Sequence, residues 1–276
     1  MLVTYRSRLA ELPTECREAL AEVSYQIGMT PSARKQRCID ALKRFDIPFR
    51  EIGTGTNRFI IKYGGEYVIK IALDREGVAD NKQEYVMSNA LAPHVAPAHD
   101  ISKGGHLLVA SYAPAFTSYS EFAMYRSMII DILSKWSSQY LLGDVGITAK
   151  NYANWGLMHD RPVCIDYAYI FPVSMNIFRC ICGYKEMSFT DTTFTTYRCS
   201  NPNCKMTYTD RELRSKITQD ERLKLFTNTS ADSILMTQPT QDIEVKDELI
   251  MQKDYDTNAL NGSGYDGIFL DGGGYL

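Results

Sequence analysis

Apolar residues recur at helical spacing in the first part of the chain and then change to short runs typical of strands. The helical spacing predicts a helix from Glu11 to Ile27 and a second from Pro31 to Arg44, with Thr30 as its N-cap. Within residues 49–72, two apolar runs flank a Gly-Gly pair, which predicts a tight hairpin. Earlier glycines suggest one more strand before the first run. We therefore expect a helical leader followed by a three-stranded antiparallel meander.

In the middle of the chain, the spacing of apolar residues predicts both helices and strands. We expect a helix over Asp80–Leu91, a strand over Leu107–Ala110 and one long helix from Tyr119 to about Tyr140. Trp155–Met158 and Val163–Ile165 are predicted to form a hairpin around a polar turn. Helices and antiparallel strands together predict an α+β fold.

One charged residue interrupts the most apolar predicted strand. Lys70 lies between valine, isoleucine and alanine residues, and a buried ammonium group requires a compensating partner. Glu84, on the helix that follows, is the predicted partner. The alternative is a hairpin lysine whose methylene stem covers apolar surface while its charge stays in water.

A carboxylate at the end of a predicted strand is the second candidate functional group. Asp166 follows the returning strand of the hairpin, opposite the loop residue Asn154. Magnesium binds oxygen ligands of this kind together with substrate phosphates, so a cation site is predicted. The alternative is an ordinary turn residue at the end of a strand.

The first of these regions resembles the small lobe of the protein-kinase-like fold. Gly53 and Gly55 match its glycine-rich loop over the nucleotide phosphates, and Lys70 matches the lysine of its third strand. Glu84 matches the helix glutamate that pairs with that lysine. Arg58 stands where the family has its third glycine.

The second region is similar to the catalytic loop and metal-binding turn of the same family. The resemblance implies that Asp144 orients or deprotonates the acceptor hydroxyl, and that Asn154 and Asp166 hold magnesium. Nine residues separate Asp144 from Asn154, whereas the family has four. Lys150 or Asn151 could therefore occupy the space assigned to Asp144.

The resemblance covers residues 49–170 and extends to kinase-like proteins encoded by large tailed bacteriophages. It implies a truncated bilobal protein-kinase-like fold, because the helical region that holds a protein substrate gives way to a cysteine cluster. The expected segments are a helical leader (1–48), a kinase-like small lobe (49–118), an abbreviated large lobe (119–178), a zinc ribbon plus helix (179–226) and an acidic extended tail (227–276).

Four cysteines form two closely spaced pairs, Cys180 with Cys182 and Cys199 with Cys204. Sixteen residues rich in threonine and aromatic side chains separate the pairs, so strands can bring the two turns together. Four thiolates suit tetrahedral zinc, and a site closed by four protein ligands is structural. The alternative is four free thiols. The total of seven cysteines is odd, which argues against a disulfide framework.

Charge and hydropathy narrow the range of partners. Residues 227–276 carry nine acidic residues and two lysines, a net charge of −7 against −3 for the whole chain. We expect this tail to be extended and to bind a protein partner. No apolar run is long enough to span a membrane and no signal peptide is evident, so we expect a cytoplasmic protein, in host cytoplasm or a virion if phage-encoded.

Three functions follow from these features. The first is an ATP-binding and magnesium-binding phosphotransferase with an unspecified acceptor. The second is a catalytically inactive kinase-like scaffold, such as a bacteriophage virion structural protein, whose ribbon and tail bind other proteins. The third is a zinc-ribbon nucleic-acid binder, which the weak net charge and the lack of an aromatic and basic surface pattern disfavour.

Overall fold

Helices and antiparallel sheets make up the structure, a computed structural model, which confirms the predicted α+β class. It describes residues 7–172, 180–184, 187–190, 192–215, 217 and 222. The predicted acidic tail at 227–276 lies outside the described residues, as does most of the stretch 216–226 that ends the predicted ribbon-plus-helix segment. No helix among the described residues is long and apolar enough to cross a bilayer.

A five-stranded antiparallel sheet dominates the first half, and its first three strands are the predicted meander. Gly64 has a φ of +68° in the turn after the second strand, where glycine adopts the left-handed conformation without strain. The strands, in spatial order, are β1 (Arg50–Thr54), β2 (Arg58–Tyr63), β3 (Tyr67–Ala72), β5 (Leu107–Ser111) and β4 (Ala98–Ile101).

The N-terminal helices α1 (Thr14–Val23) and α2 (Pro31–Arg44) pack against one face of this sheet. The Thr30 side chain accepts a hydrogen bond from the Ala33 N–H, as the predicted N-cap requires. Ile69 and Ile71 belong to the core shared with these helices. Successive strand side chains point to opposite faces, so the residue between them points to the other side of the sheet.

On that other side lies helix α3 (Arg75–Leu91). It begins five residues before the predicted start at Asp80, because the Asp74 side chain caps it by accepting from the Gly77 N–H at 2.9 Å. The earlier start adds a full turn to the helix and brings Glu76 onto it.

The single long helix predicted from Tyr119 to Tyr140 is wrong. The structure has α4 (Tyr119–Met124) and α5 (Arg126–Ser137), with a break at Tyr125. Tyr140 instead begins strand β6 (Tyr140–Leu142), which pairs with β9 (Ile170–Pro172). The partner strand is distant in sequence, so local helical periodicity could not reveal this pairing.

The predicted hairpin is present as β7 (Trp155–Met158) and β8 (Arg161–Cys164). Its turn is only His159 and Asp160, both with positive φ, so Arg161 and Pro162 belong to the returning strand. The buried Trp155 joins α4, α5 and the C-terminal part of α3 in a second hydrophobic core.

The cysteine region forms a small antiparallel sheet of three strands with a short helix after it. The strands are β10 (Met187–Phe189), β11 (Thr196–Cys199) and β12 (Thr207–Thr209), and the helix is α6 (Asp210–Ser215). This sheet packs on the second core through Phe194 and Phe189.

Candidate functional site

Lys70 and Glu84 form a buried ion pair, as their types and positions predicted. Lys70 is central in β3, opposite Ile60, and its Nζ lies 2.5 Å from Glu84 Oε2 and 2.6 Å from the Ile165 carbonyl oxygen. The Glu84 side chain is completely buried on α3. Burial raises the pKa of Glu84, and the neighbouring cations oppose that rise. The pair joins the sheet, the helix and the end of the β7–β8 hairpin.

Arg58, which stands where the resembled loop has its third glycine, is the second cation of this cluster. Its Nη2 donates to Asp166 Oδ1 at 2.8 Å, and its Nη1 lies 2.9 Å from Glu84 Oε1 without good hydrogen-bond alignment. Its Nε lies 3.9 Å from Asp80 Oδ2. Burial disfavours the guanidinium charge, but the surrounding carboxylates outweigh it and raise the pKa of Arg58 well above its ordinary value.

Asp166 and Asn154 meet at the base of the hairpin. The Asn154 carbonyl oxygen accepts from the Ile165 N–H at 2.8 Å and from the Asp166 N–H at 3.3 Å. Burial alone would raise the pKa of Asp166, but Arg58 and Lys70 lower it below its ordinary value. Asp166 is therefore a carboxylate at neutral pH and can ligate a cation.

Asp144 joins the same group through the backbone, because the Asn154 side chain donates to the Asp144 carbonyl oxygen at 2.7 Å. The Asp144 side chain borders a cavity of about 580 Å³ that Lys150 and Asn151 also line. The two residues considered as alternatives to Asp144 thus share one cavity with it. All three residues therefore border one common space.

The glycine loop lies at the tip of the β1–β2 hairpin. The Gly55 N–H donates to the Arg58 carbonyl oxygen at 2.9 Å, and a Cβ added at Gly53 would meet nothing within 4 Å. Neither glycine is needed for packing within the protein. By contrast, packing does require glycine at position 77, where a Cβ would lie 2.2 Å from the Asn57 carbonyl oxygen.

Arg222 extends the charge cluster along α3. Its Nη2 lies 2.7 Å from Asp80 Oδ1, its Nη1 lies 2.9 Å from Glu76 Oε2, and its guanidinium covers the Tyr169 ring at 4.4 Å. Burial opposes the charge, but these acidic neighbours raise the pKa of Arg222. Asp80 therefore lies between two arginines, and Arg58 and Arg222 belong to one network.

Sequence signals for these arginines were weak. Arg58 follows a turn and precedes an apolar strand, where a charged residue is ordinarily exposed, and Arg222 lies in a basic helical segment that resembles a solvated face. One pattern could have indicated buried cations. Helix α3 carries three acidic residues on one face, namely Glu76, Asp80 and Glu84.

The four predicted cysteines converge on one point. Their Sγ atoms all lie within 4.8 Å of one another, and the Cys180–Cys204 and Cys182–Cys199 sulfur pairs are each 3.6 Å apart. Sulfur atoms around tetrahedral zinc are about 3.8 Å apart, given Zn–S bonds of about 2.3 Å. Among the described residues this is the only group of three or more side chains arranged to hold a metal.

The acid–base properties of these thiols fit a cation site. Burial disfavours the Cys180 thiolate, but hydrogen bonds from the Cys182 backbone and the Tyr208 hydroxyl lower the pKa of Cys180 to about 6. The pKa of Cys199 rises to about 12, where burial and the adjacent sulfurs disfavour a second thiolate. A divalent cation would remove this repulsion, because metal ligation requires thiolates.

Comparison with known proteins adds no relative: no protein-family model matches the chain, and no curated protein matches it.

Proposed function

We propose that the protein is an ATP-binding phosphotransferase with a truncated protein-kinase-like fold. One observation carries the proposal: the Lys70–Glu84 pair is linked through the Ile165 backbone to Asn154, which in turn contacts Asp166 and Asp144. These residues lie in the chain order that the family resemblance requires. A structural ion pair alone would not need the last three residues beside it.

In this proposal each residue has a defined role. Lys70 holds the nucleotide phosphates, Glu84 orients Lys70, and the loop at Gly53 and Gly55 covers the phosphates. The open space around Gly53 supports the last role, because no protein atom fills the position of a side chain there. Asp144 orients or deprotonates the acceptor hydroxyl. Catalysis consists mainly of positioning and charge stabilisation.

Magnesium fits the types of donor atom at this site. Asp166 and Asn154 offer carboxylate and amide oxygens, which magnesium prefers, and the cation would neutralise phosphate charge. The Oδ1 atom of Asp166 is already bound by Arg58. A cation at Asp166 must therefore share or release that contact.

Thermal unfolding with ATP and magnesium tests the proposal. A ligand that binds only the folded state raises the unfolding temperature. Lys70→Met should weaken the stabilisation by ATP, Asp166→Asn should weaken its magnesium dependence, and Asp144→Asn should preserve binding while abolishing transfer to an added hydroxyl acceptor. Lys43→Met, an exposed change on α2, is the control. Lack of stabilisation by ATP at every magnesium concentration would contradict the proposal.

A catalytically inactive scaffold is the second candidate. Two observations favour it: the Arg58 contact to Asp166 and the nine residues between Asp144 and Asn154. In this role, for example in a bacteriophage virion, the acidic tail and the cysteine sheet would bind protein partners. ATP binding without transfer to any acceptor would support it. A nucleic-acid-binding role has less support, because the chain carries a net charge of −3.

We further propose that the cysteine cluster is a structural zinc site. The spacing of the four sulfur atoms supports a tetrahedral cation with four protein ligands and no open position. Purified protein should contain about one zinc per chain by elemental analysis. Cys199→Ser should release the metal and increase hydrogen exchange in β10–β12, whereas Cys38→Ser on α2 should retain it. Protein prepared without chelators that contains no metal would contradict this assignment.

A further inference from the structure

We propose that Arg58 competes with a divalent cation for Asp166, so that this arginine weakens metal binding at the candidate nucleotide site. The inference rests on the proposed function for the identity of the site, while the competition itself involves only residues of this chain. It concerns Arg58, which stands where the glycine-rich loop that the sequence resembles has its third glycine.

Asp166 is the member of the cluster that a cation from solvent can reach. Its side chain is 37% exposed, whereas those of Glu84 and Arg58 are 0% and 5% exposed. The exposed carboxylate is therefore the entrance to an otherwise buried group of charges. Its contact with Arg58 lies at that entrance.

Arg58 and a metal ion cannot both use the same oxygen at low cost. The Arg58 Nη2 lies 2.8 Å from Asp166 Oδ1, which is hydrogen-bond contact, and a cation ligated there would be brought close to the guanidinium charge. Two positive charges at such a distance repel each other. The metal must therefore displace the guanidinium, or bind Asp166 more weakly without using Oδ1.

The surrounding residues give Arg58 other partners when Asp166 is occupied. Its Nη1 lies 2.9 Å from Glu84 Oε1, and its Nε lies 3.9 Å from Asp80 Oδ2. A guanidinium has five N–H donors in a planar fork, so it can release one carboxylate and keep the others. The cluster thus has two arrangements, one with Arg58 on Asp166 and one with a cation there.

Direct metal titration tests the competition without ATP or turnover. The zinc-loaded full chain is titrated with Mn²⁺ and free Mn²⁺ is followed by electron paramagnetic resonance. An adjacent positive charge lowers the pKa of a carboxylate by about 1–3, which means that it weakens proton binding by about ten- to a thousand-fold. Because Mn²⁺ is also a cation, Arg58→Met should tighten Mn²⁺ binding at Asp166 by a similar factor of about ten to a thousand. Adding Asp166→Asn to this variant should abolish the gain. Arg50→Met, an exposed change on β1, should bind as the unchanged protein does.

A second variant covers the case in which Arg58→Met does not fold. Arg58→Lys keeps a positive charge but lacks the planar fork, so it should bind Mn²⁺ more tightly than the unchanged protein, and less tightly than Arg58→Met where both fold. Circular dichroism identifies the folded variants. Mn²⁺ binding that is absent, unchanged or weaker in a folded Arg58 variant would overturn the inference.

The result separates this inference from the proposed function. Tighter Mn²⁺ binding in the Arg58 variants, with no stabilisation by ATP in any variant, would support the competition and contradict nucleotide binding. Stabilisation by ATP with unchanged Mn²⁺ affinity would support nucleotide binding and contradict the competition.

Discussion

At the scale of single residues, the buried charges around Glu84 determine what the centre of the molecule can do. Lys70 and Arg58 both contact this one carboxylate, on its two different oxygens. Buried ion pairs offset their desolvation only when the partners are complete, so the loss of one partner is costly. The cost depends on which partner is lost.

Glu84→Gln should destabilise the protein more than Lys70→Met. The first change leaves two buried cations without their shared carboxylate, and removing one partner of a buried pair costs about 3–5 kcal/mol. The second change leaves Glu84 paired with Arg58. Urea denaturation gives the free energies of unfolding, with the exposed α1 change Glu18→Gln as control. The reverse order of the two effects would show that Arg58 does not compensate Glu84.

The contact between Asp166 and Arg58 should make stability depend on pH. The pKa of Asp166 is below its ordinary value of 3.8 in the folded protein. Its contribution is therefore fully present above pH 3.8 and is lost as the pH falls through the lower, folded-state pKa. The stability difference between the unchanged protein and Asp166→Asn, measured by urea denaturation, should shrink over that acidic range. A difference that stays constant would contradict the lowered pKa.

At the scale of elements, the cysteine-bearing sheet supports the loop that carries Asp144. The Tyr197 hydroxyl donates to the Leu142 carbonyl oxygen at 2.5 Å and accepts from the Leu142 N–H at 2.8 Å. The Ile147 N–H donates to the Thr193 carbonyl oxygen at 2.8 Å, and a Cβ at Gly146 would lie 2.6 Å from that oxygen. Both ends of the loop therefore contact the small sheet.

Tyr197→Phe should measure this support. The change leaves a buried N–H and a buried carbonyl of Leu142 without the hydroxyl, and an unsatisfied buried group costs about 1–3 kcal/mol. Hydrogen exchange should rise in residues 142–147, and the free energy of unfolding should fall by that amount. Tyr184→Phe, on an exposed side chain, is the control and should change neither quantity. Unchanged exchange in residues 142–147 would show that the loop is held by other contacts.

At the scale of the whole molecule, the five-stranded sheet shares an apolar core with the N-terminal helices and a buried ion pair with α3. Arg222, from the segment after α6, adds ion pairs to the same helix α3. The chain therefore uses a residue distant in sequence to neutralise Glu76 and Asp80. Partner binding by the acidic segment at 227–276 stays a prediction from its charge.

Deletion of residues 227–276 tests that role. We expect the midpoint of thermal unfolding to change little, because the segment lacks the apolar periodicity that core elements show. Differential scanning calorimetry of the shortened and full chains measures the change. A large loss of stability would show that the segment contributes to the core.

Local sequence rules predicted the meander, β5, the β7–β8 hairpin and the first helices, because the information they need is local. Thr30 at an N-cap, Gly64 and Gly65 at a turn, and alternation around Lys70 each depend on neighbours a few residues away. The need of a buried ammonium for a carboxylate likewise pointed to Glu84. The paired cysteine spacing was sufficient to predict a four-sulfur cluster.

The remaining features depend on contacts between residues far apart in the chain. Tyr140 lies in a strand because β6 pairs with β9, although the apolar spacing before it is that of a helix. Arg58 is buried because three carboxylates from α3 and the hairpin surround it, although its local sequence is that of an exposed turn. By itself the sequence determined the elements that depend on local signals, the Lys70–Glu84 pair and the four sulfur ligands. Only the tertiary structure decided that β6 pairs with β9 and that an arginine contacts the candidate cation ligand Asp166, because strand pairing and charge compensation are set by distance in space.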